Sequence, residues 1–98
     1  MYARFSEVQV KPGKVNDFVQ IFKDQMIPPA REQPGFKGVT VLADETVSLV
    51  LLTSYWETEA DAKAVEPSSG SIQTQMSKIA ELIEQKPDVR IVKVAHQE

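Results

Sequence analysis

Apolar residues recur along the chain with two different spacings. Tyr2–Lys11 alternates apolar and polar positions, which is typical of a half-buried strand. Pro12-Gly13 ends this strand, and the spacing then changes to every three or four positions. Pro28-Pro29 should end or kink the resulting helix near Met26-Ile27, because proline lacks an N–H donor and disfavours helix in the preceding residue. The apolar stripe of the helix is Val15, Phe18, Val19, Phe22 and Met26.

The middle of the chain predicts two more strands. A turn at Pro34-Gly35 precedes a strand over Phe36–Ala43, and Asp44-Glu45 connects it to a third strand over Thr46–Trp56. Thr58 and Asp61 are spaced as in a helix-capping sequence, which predicts that a helix begins at Thr58.

The C-terminal part predicts further helix and a last strand. The helix that begins at Thr58 should run to about Val65 and break across residues 67–70. The last strand is predicted over Val89–His96. Between them, helical spacing continues to about Lys86-Pro87 through Ile72, Met76, Ile79, Leu82 and Ile83.

These elements together predict one α+β domain over residues 1–98. Their order is β-α-β-β-α-β, the split pattern of ferredoxin-like folds, in which an antiparallel sheet carries both helical regions on one face. The third strand is apolar on both sides, with one set of residues (Val47, Leu49, Leu51, Tyr55) alternating with another (Val50, Leu52, Trp56). Helices on one face leave the other uncovered, so we predict a homodimer that buries about 800 Å² per partner.

The composition and charge of the chain argue against several classes of function. The 98 residues carry a formal net charge of −3 and no basic cluster, which argues against a nucleic-acid partner. There is no cysteine for a disulfide or a thiolate metal site. The longest apolar run, Val47–Leu52, is too short to cross a membrane, and we expect a cytoplasmic protein. His96, the sole histidine, could act as a general base, but near the end of the chain it is expected to be solvated.

Three motifs in this order resemble the antibiotic biosynthesis monooxygenase-like family of the dimeric α/β-barrel superfamily. They are Pro12-Gly13 before the first helix, residues 31–36 (Arg-Glu-Gln-Pro-Gly-Phe) before the second strand, and residues 55–60 (Tyr-Trp-Glu-Thr-Glu-Ala) before the next helix. The resemblance implies a dimeric barrel. It also implies a monooxygenase that acts on a small aromatic or quinol-type substrate without a metal or flavin cofactor.

Two other functions stay open beside the monooxygenase. The first is a non-catalytic protein that binds a small ligand or acts under stress. The second, haem binding, is a more distant alternative. The haem-degrading members use an asparagine, a tryptophan and a histidine, and the corresponding positions of this chain hold Ser6, Val65 and Gln75.

No residue is assigned a catalytic role, but six are candidates to line a substrate pocket. Arg4 and Ser6 share a face of the first strand, and polar groups there need either pocket contacts or solvent at a frayed strand end. Tyr55 and Trp56 could line an aromatic pocket or fasten a helix to the sheet. Phe22 and Met76 lie on helical stripes, where a core role competes with the pocket position that the resemblance implies.

Overall fold

The structure, a computed structural model, describes residues 1–64, 79–84 and 87–98. In chain order its elements are β1 (Tyr2–Gln9), α1 (Val15–Ile21), a π-helical segment (Phe22–Met26), α2 (Ile27–Arg31), β2 (Phe36–Asp44), β3 (Leu49–Trp56), α3 (Glu59–Lys63) and β4 (Val89–Lys93).

The strands form an antiparallel sheet in the order β2-β3-β1-β4, with β3 and β1 in the centre. Phe18 of α1 packs with Val8 of β1, and Ile79, in the short helical piece at residues 79–80, joins the same buried cluster. Ala62 of α3 contacts Arg4, which lies on the same face of β1 as Val8. The predicted ferredoxin-like α+β fold, with its helices on one face of the sheet, is therefore confirmed.

The double proline does not end the first helical region. Pro28 and Pro29 are the second and third residues of α2 and lie in its first turn, where a missing N–H costs little. Just before them, the N–H of Ile27 donates to the carbonyl of Phe22 five residues back, which is the π-helical pattern. The kink predicted near Met26-Ile27 is thus a π turn, and the helical path continues to Arg31.

The β2–β3 connection is longer than the sequence pattern suggested. The Asp44 side chain accepts a hydrogen bond of 3.0 Å from the N–H of Thr46, which begins a turn. Ser48 closes the turn with a positive φ of 54°. The third strand therefore begins at Leu49, and the prediction that Val47 shares the strand face of Leu49 was wrong, since Val47 lies in the turn, 54% exposed.

The start of α3 is held in two ways. The Thr58 hydroxyl accepts a hydrogen bond of 3.0 Å from the N–H of Asp61, so the predicted cap is confirmed. Gly35, in the turn before β2, has a φ of 82°, and a Cβ at this position would collide with the Asp61 carboxylate. Its carbonyl accepts a hydrogen bond of 2.8 Å from the N–H of Glu57. The turn before β2 therefore packs closely against the first turn of α3.

The C-terminal elements differ from the prediction in their lengths. The predicted helix end at Val65, the break at residues 67–70, and Ile72 and Met76 lie outside the described residues. Ile83 is not helical but forms an isolated antiparallel bridge with Val10. The last strand ends at Lys93 rather than at His96.

The buried core occupies one end of the sheet. Six buried residues form a cluster between the sheet and the helices: Val8, Val10, Val15, Phe18, Val50 and Ile79. Trp56, also fully buried, lies at the other end of β3 with the ring of Phe36 against its edge, the centroids 5.5 Å apart. In the described part of the chain, no helix is long and apolar enough to cross a membrane.

Candidate functional site

Strand register divides the functional candidates between the two faces of the sheet. Arg4 lies opposite Ser54 of β3, and Ser6 lies opposite Leu52, so these side chains share the face that carries the helices. This side is called the helix face, and the other side is called the open face. The three hydrophilic residues Arg4, Ser6 and Ser54 are each half-buried. They form a group that we call the polar strip.

Arg4 is the one charged member of the polar strip. Its Nη1 donates a hydrogen bond of 3.2 Å to the carbonyl of Ala62 in α3. The last carbonyls of a helix lack partners within the helix, so this bond also caps the end of α3. A guanidinium carries five N–H donors. Among the described residues, no carboxylate forms an ion pair with it.

Ser54 joins the polar strip to the aromatic end of the sheet. Its Oγ accepts a hydrogen bond of 2.9 Å from the indole Nε1 of Trp56, two residues along the same strand. The buried indole N–H is thereby satisfied, as such groups usually are. The Ser54 hydroxyl keeps its own hydrogen to donate.

Apolar residues bound the polar strip along the strands. On one side, Val8 and Val50 pair directly and are 2% and 0% exposed. On the other side, Trp56 is 0% exposed. The polar strip is therefore a half-buried group of polar atoms between two buried apolar regions. Such an arrangement can orient a small, largely apolar molecule by a few hydrogen bonds.

The six sequence candidates do not all come together. Arg4, Ser6 and Trp56 share the helix face, whereas Tyr55 points to the open face, opposite Ala3 and Gly38. Phe22 stacks on Phe18 of the buried cluster, with ring centroids 6.4 Å apart. Met76 lies outside the described residues. The pocket roles of these residues stay predictions.

The open face carries a separate cavity of about 600 Å³. Its lining mixes apolar side chains with charged ones, and it lies over β1 and β4 at their end nearest residue 87. Gln9 also lines it, but the Gln9 amide nitrogen donates to the carbonyls of Val47 and Ser48, at 2.7 and 3.0 Å. The other principal lining residues are Phe5, Glu7, Leu49, Asp88, Arg90 and Val92.

Within residues 1–64, 79–84 and 87–98, the titratable groups away from the polar strip do not form a second centre. His96 is exposed, with its Nε2 3.0 Å from a carboxylate oxygen of Glu98. Among the described residues, no group of three His, Asp or Glu side chains is placed to hold a metal ion. A hydrogen bond and the charge of Glu59 raise the pKa of Lys63 on the exposed side of α3.

Sequence reasoning missed Ser54 as a member of the site. The signal was present, because Ser54 lies two residues before Trp56 in a strand and must share its face. The register between β1 and β3, which places Ser54 opposite Arg4, could not be predicted from the sequence.

Comparison with known proteins gives a family and a fold. The sequence profile of the antibiotic biosynthesis monooxygenase family matches residues 1–75. Among curated proteins, none matches the chain.

Three solved structures illustrate the shared fold. A protein from Bordetella bronchiseptica, described as a candidate antibiotic biosynthesis monooxygenase, is 21% identical with a TM-score of 0.80, over 97% of both chains. One from Nitrosomonas europaea, described in the same way, is 18% identical with a TM-score of 0.79, over 98% of this chain and 100% of that one. An uncharacterized NIPSNAP domain protein from Burkholderia xenovorans is 14% identical with a TM-score of 0.73, over 97% of this chain and 95% of that one. Identities this low establish the fold alone.

Proposed function

Since the chain belongs to the antibiotic biosynthesis monooxygenase family, we propose that it oxygenates a small aromatic or quinol-type molecule without a tightly held metal or flavin. The observation that carries this proposal is the polar strip. Arg4, Ser6 and Ser54 place a few hydrogen-bonding groups between apolar regions on the helix face. Such a site suits a flat, electron-rich ring that carries one or two oxygen atoms.

The proposed reaction turns a ring CH₂ of an anthrone-type substrate into a carbonyl. The substrate supplies four electrons and two hydrogens, and O₂ supplies both oxygen atoms, one kept in the product and one released as water. A deprotonated substrate of this kind can itself pass an electron to O₂. The protein then has to bind and orient the ring and exclude water from the reacting carbon.

The proposal includes a homodimer that is formed through the open face. Apolar side chains on this face keep much of their surface in the single chain, with Leu42 52% and Val92 47% exposed. Phe5, Leu51 and Tyr55 on the same face are half-buried. Apolar side chains that stay exposed on a sheet face are candidates for an interaction site. A second copy covers the face by twofold symmetry and completes the barrel.

Oxygen uptake tests the reaction. Metal-stripped protein is mixed with a panel of anthrones and quinols, and O₂ consumption is followed against the same substrates without protein. We expect protein-dependent uptake for at least one substrate and one ¹⁸O atom in its product when ¹⁸O₂ is used. Folded protein that binds members of the panel but consumes no O₂ would favour the non-catalytic ligand-binding function instead.

Sedimentation tests the dimer. We expect a species of twice the 10.9 kDa chain mass at micromolar concentration. A single species of the chain mass under these conditions would overturn the dimer proposal and leave the reaction to be judged by oxygen uptake.

A further inference from the structure

Charged side chains are divided unevenly between the two faces of the sheet. On the helix face, the paired strand positions include two cations, Arg4 and Lys93, and no carboxylate. The open face carries the strand carboxylates Glu7 and Asp44 together with one cation, Arg90. The polar strip therefore lies on a face whose strand residues attract anions.

The polar strip also has no described group that could remove a proton. The chain's one histidine, His96, is exposed in the C-terminal tail beside Glu98. Of the carboxylates of α3 that the structure describes, that of Glu59 pairs with Lys63, and that of Asp61 lies against Gly35. The site that we describe can stabilise an anion but offers no general base to generate one.

From this arrangement, and on the premise of the proposed function, we infer that the protein binds its substrate as an oxyanion held by Arg4. The substrate is then a phenol or enol acidic enough to ionise in water, such as one with a carbonyl conjugated to its hydroxyl group. An unactivated phenol resembles tyrosine, with a pKa of about 10, and one nearby cation lowers such a value by about 1 to 3 units. Substrates with an intrinsic pKa up to about 8 would thus be ionised in the site at neutral pH.

The hydrogen bonds of Arg4 suit this role. The carbonyl of Ala62 holds the side chain through Nη1, which fixes the guanidinium at the end of α3. The remaining N–H donors can address a planar oxyanion. Ser54 lies opposite on β3 and can donate its hydroxyl hydrogen to the same ligand.

Binding of an inert coloured anion tests the inference without any oxygenation. The probe is 2-hydroxy-1,4-naphthoquinone, which is already oxidised, and its 2-methoxy derivative is the neutral match. We expect the hydroxy compound to bind the wild-type protein at least about 10-fold more tightly at pH 8, the range that a hydrogen bond to a charged group supplies. Arg4→Gln should abolish this preference, and Arg4→Lys should keep part of it.

The matched control is Arg90→Gln, the same change on the neighbouring strand but on the open face. It should leave the preference within about twofold of the wild-type value. Equal affinity for the two compounds, or a preference that survives Arg4→Gln, would overturn the inference. If Arg4→Gln does not fold, the inference is tested instead by how the preference of the wild-type protein for the hydroxy compound depends on salt concentration. A preference that falls as salt is added supports an ionic contact, and one that is independent of salt refutes it.

Turnover, where it occurs, gives a second test. The pH profile of kcat/KM is measured for substrates with different pKa values. The pH at which kcat/KM falls on the acid side should follow the pKa of each substrate. A fall at the same pH for all of them would mean that a group of the protein takes the proton, and would overturn the inference. Anion preference without O₂ uptake would reject the oxygenation and keep Arg4 as the anion-binding residue, so the two proposals fail separately.

Discussion

The two faces of one sheet, built from alternate residues of the same strands, differ in burial along the central strand β3. There, Val50 and Trp56 on the helix face are 0% exposed, whereas Leu51 on the open face is half-buried. At the edges of the sheet both faces are exposed, with Leu42 of the open face at 52% and Val89 of the helix face at 47%. The described helices cover one face only. This difference is the observation behind the proposed homodimer, in which a second copy covers the open face.

The largest expected contrast between the faces is in stability. Trp56→Ala removes a fully buried indole and its hydrogen bond to Ser54, so it should lower the free energy of unfolding by about 3–5 kcal/mol. In the monomeric chain, Leu42→Ala should cost less than about 1 kcal/mol, because about half of its side chain stays in water. Urea unfolding at concentrations too low for the proposed dimer to form measures both. Equal losses would show that the faces do not differ in burial as described.

The second contrast concerns association. Leu51 lies between Glu7 and Leu42 in the middle of the open face, so Leu51→Glu places a second carboxylate beside Glu7 at the centre of the proposed interface. We expect self-association to weaken at least about 100-fold, since a buried unpaired charge costs several kcal/mol. Val47→Glu, in the exposed turn between β2 and β3, is the control and should leave the sedimentation profile unchanged. A dimer that persists in the Leu51 variant would place the interface elsewhere.

A smaller effect is expected where α3 meets the helix face. Thr58→Ala removes the side-chain acceptor for the N–H of Asp61 and should lower the free energy of unfolding by about 1 kcal/mol. Thr46→Ala is matched to it, because Thr46 is an exposed threonine whose turn uses its backbone N–H rather than its hydroxyl. That control should change stability by less than about 0.5 kcal/mol. If thermal melts of the two variants coincide, the cap is not contributing.

The smallest expected effect is on the exposed side of α3. Glu59 raises the pKa of Lys63, with the two charged groups 2.7 Å apart. Because the pKa is raised in the folded state, any stabilisation from the pair is present below the ordinary lysine pKa and is lost as the pH rises through the raised value. Glu59→Gln should return the pKa of Lys63 toward its ordinary value, measurable by NMR titration of the side chain. An unchanged titration would show that the pair does not persist in solution.

Alternation along the strands predicted the faces well. It separated Val50 and Trp56 from Leu51 and Tyr55, and the strand register confirms this division. It failed at Val47, because the Asp44 side chain starts a turn by a local hydrogen bond that periodicity does not register. Apolar spacing likewise extended the last helix through Ile83, where pairing with Val10 prevails. Tertiary contacts override local pattern at element ends.

The candidate site was predicted less completely. Arg4 and Ser6 were placed on one face of β1 from the sequence, but the contact of Arg4 with Ala62 depends on where α3 ends in space. Strand spacing alone is enough to predict that Ser54 lies on the same face as Trp56, to which it is hydrogen-bonded. Predicting that Ser54 lies opposite Arg4 also requires the strand register. Individual faces follow from local sequence, whereas a site assembled from three elements does not.

The pairing of β1 has a consequence for how the protein is made. Its first half, Tyr2–Ser6, pairs with β4, and just beyond its second half the backbone of Lys11 bonds to Leu82. Both partners lie more than 70 residues further along the chain and are synthesised after β1. The N-terminal strand therefore cannot complete its hydrogen bonds until these residues have been made, and we expect final folding to wait for them.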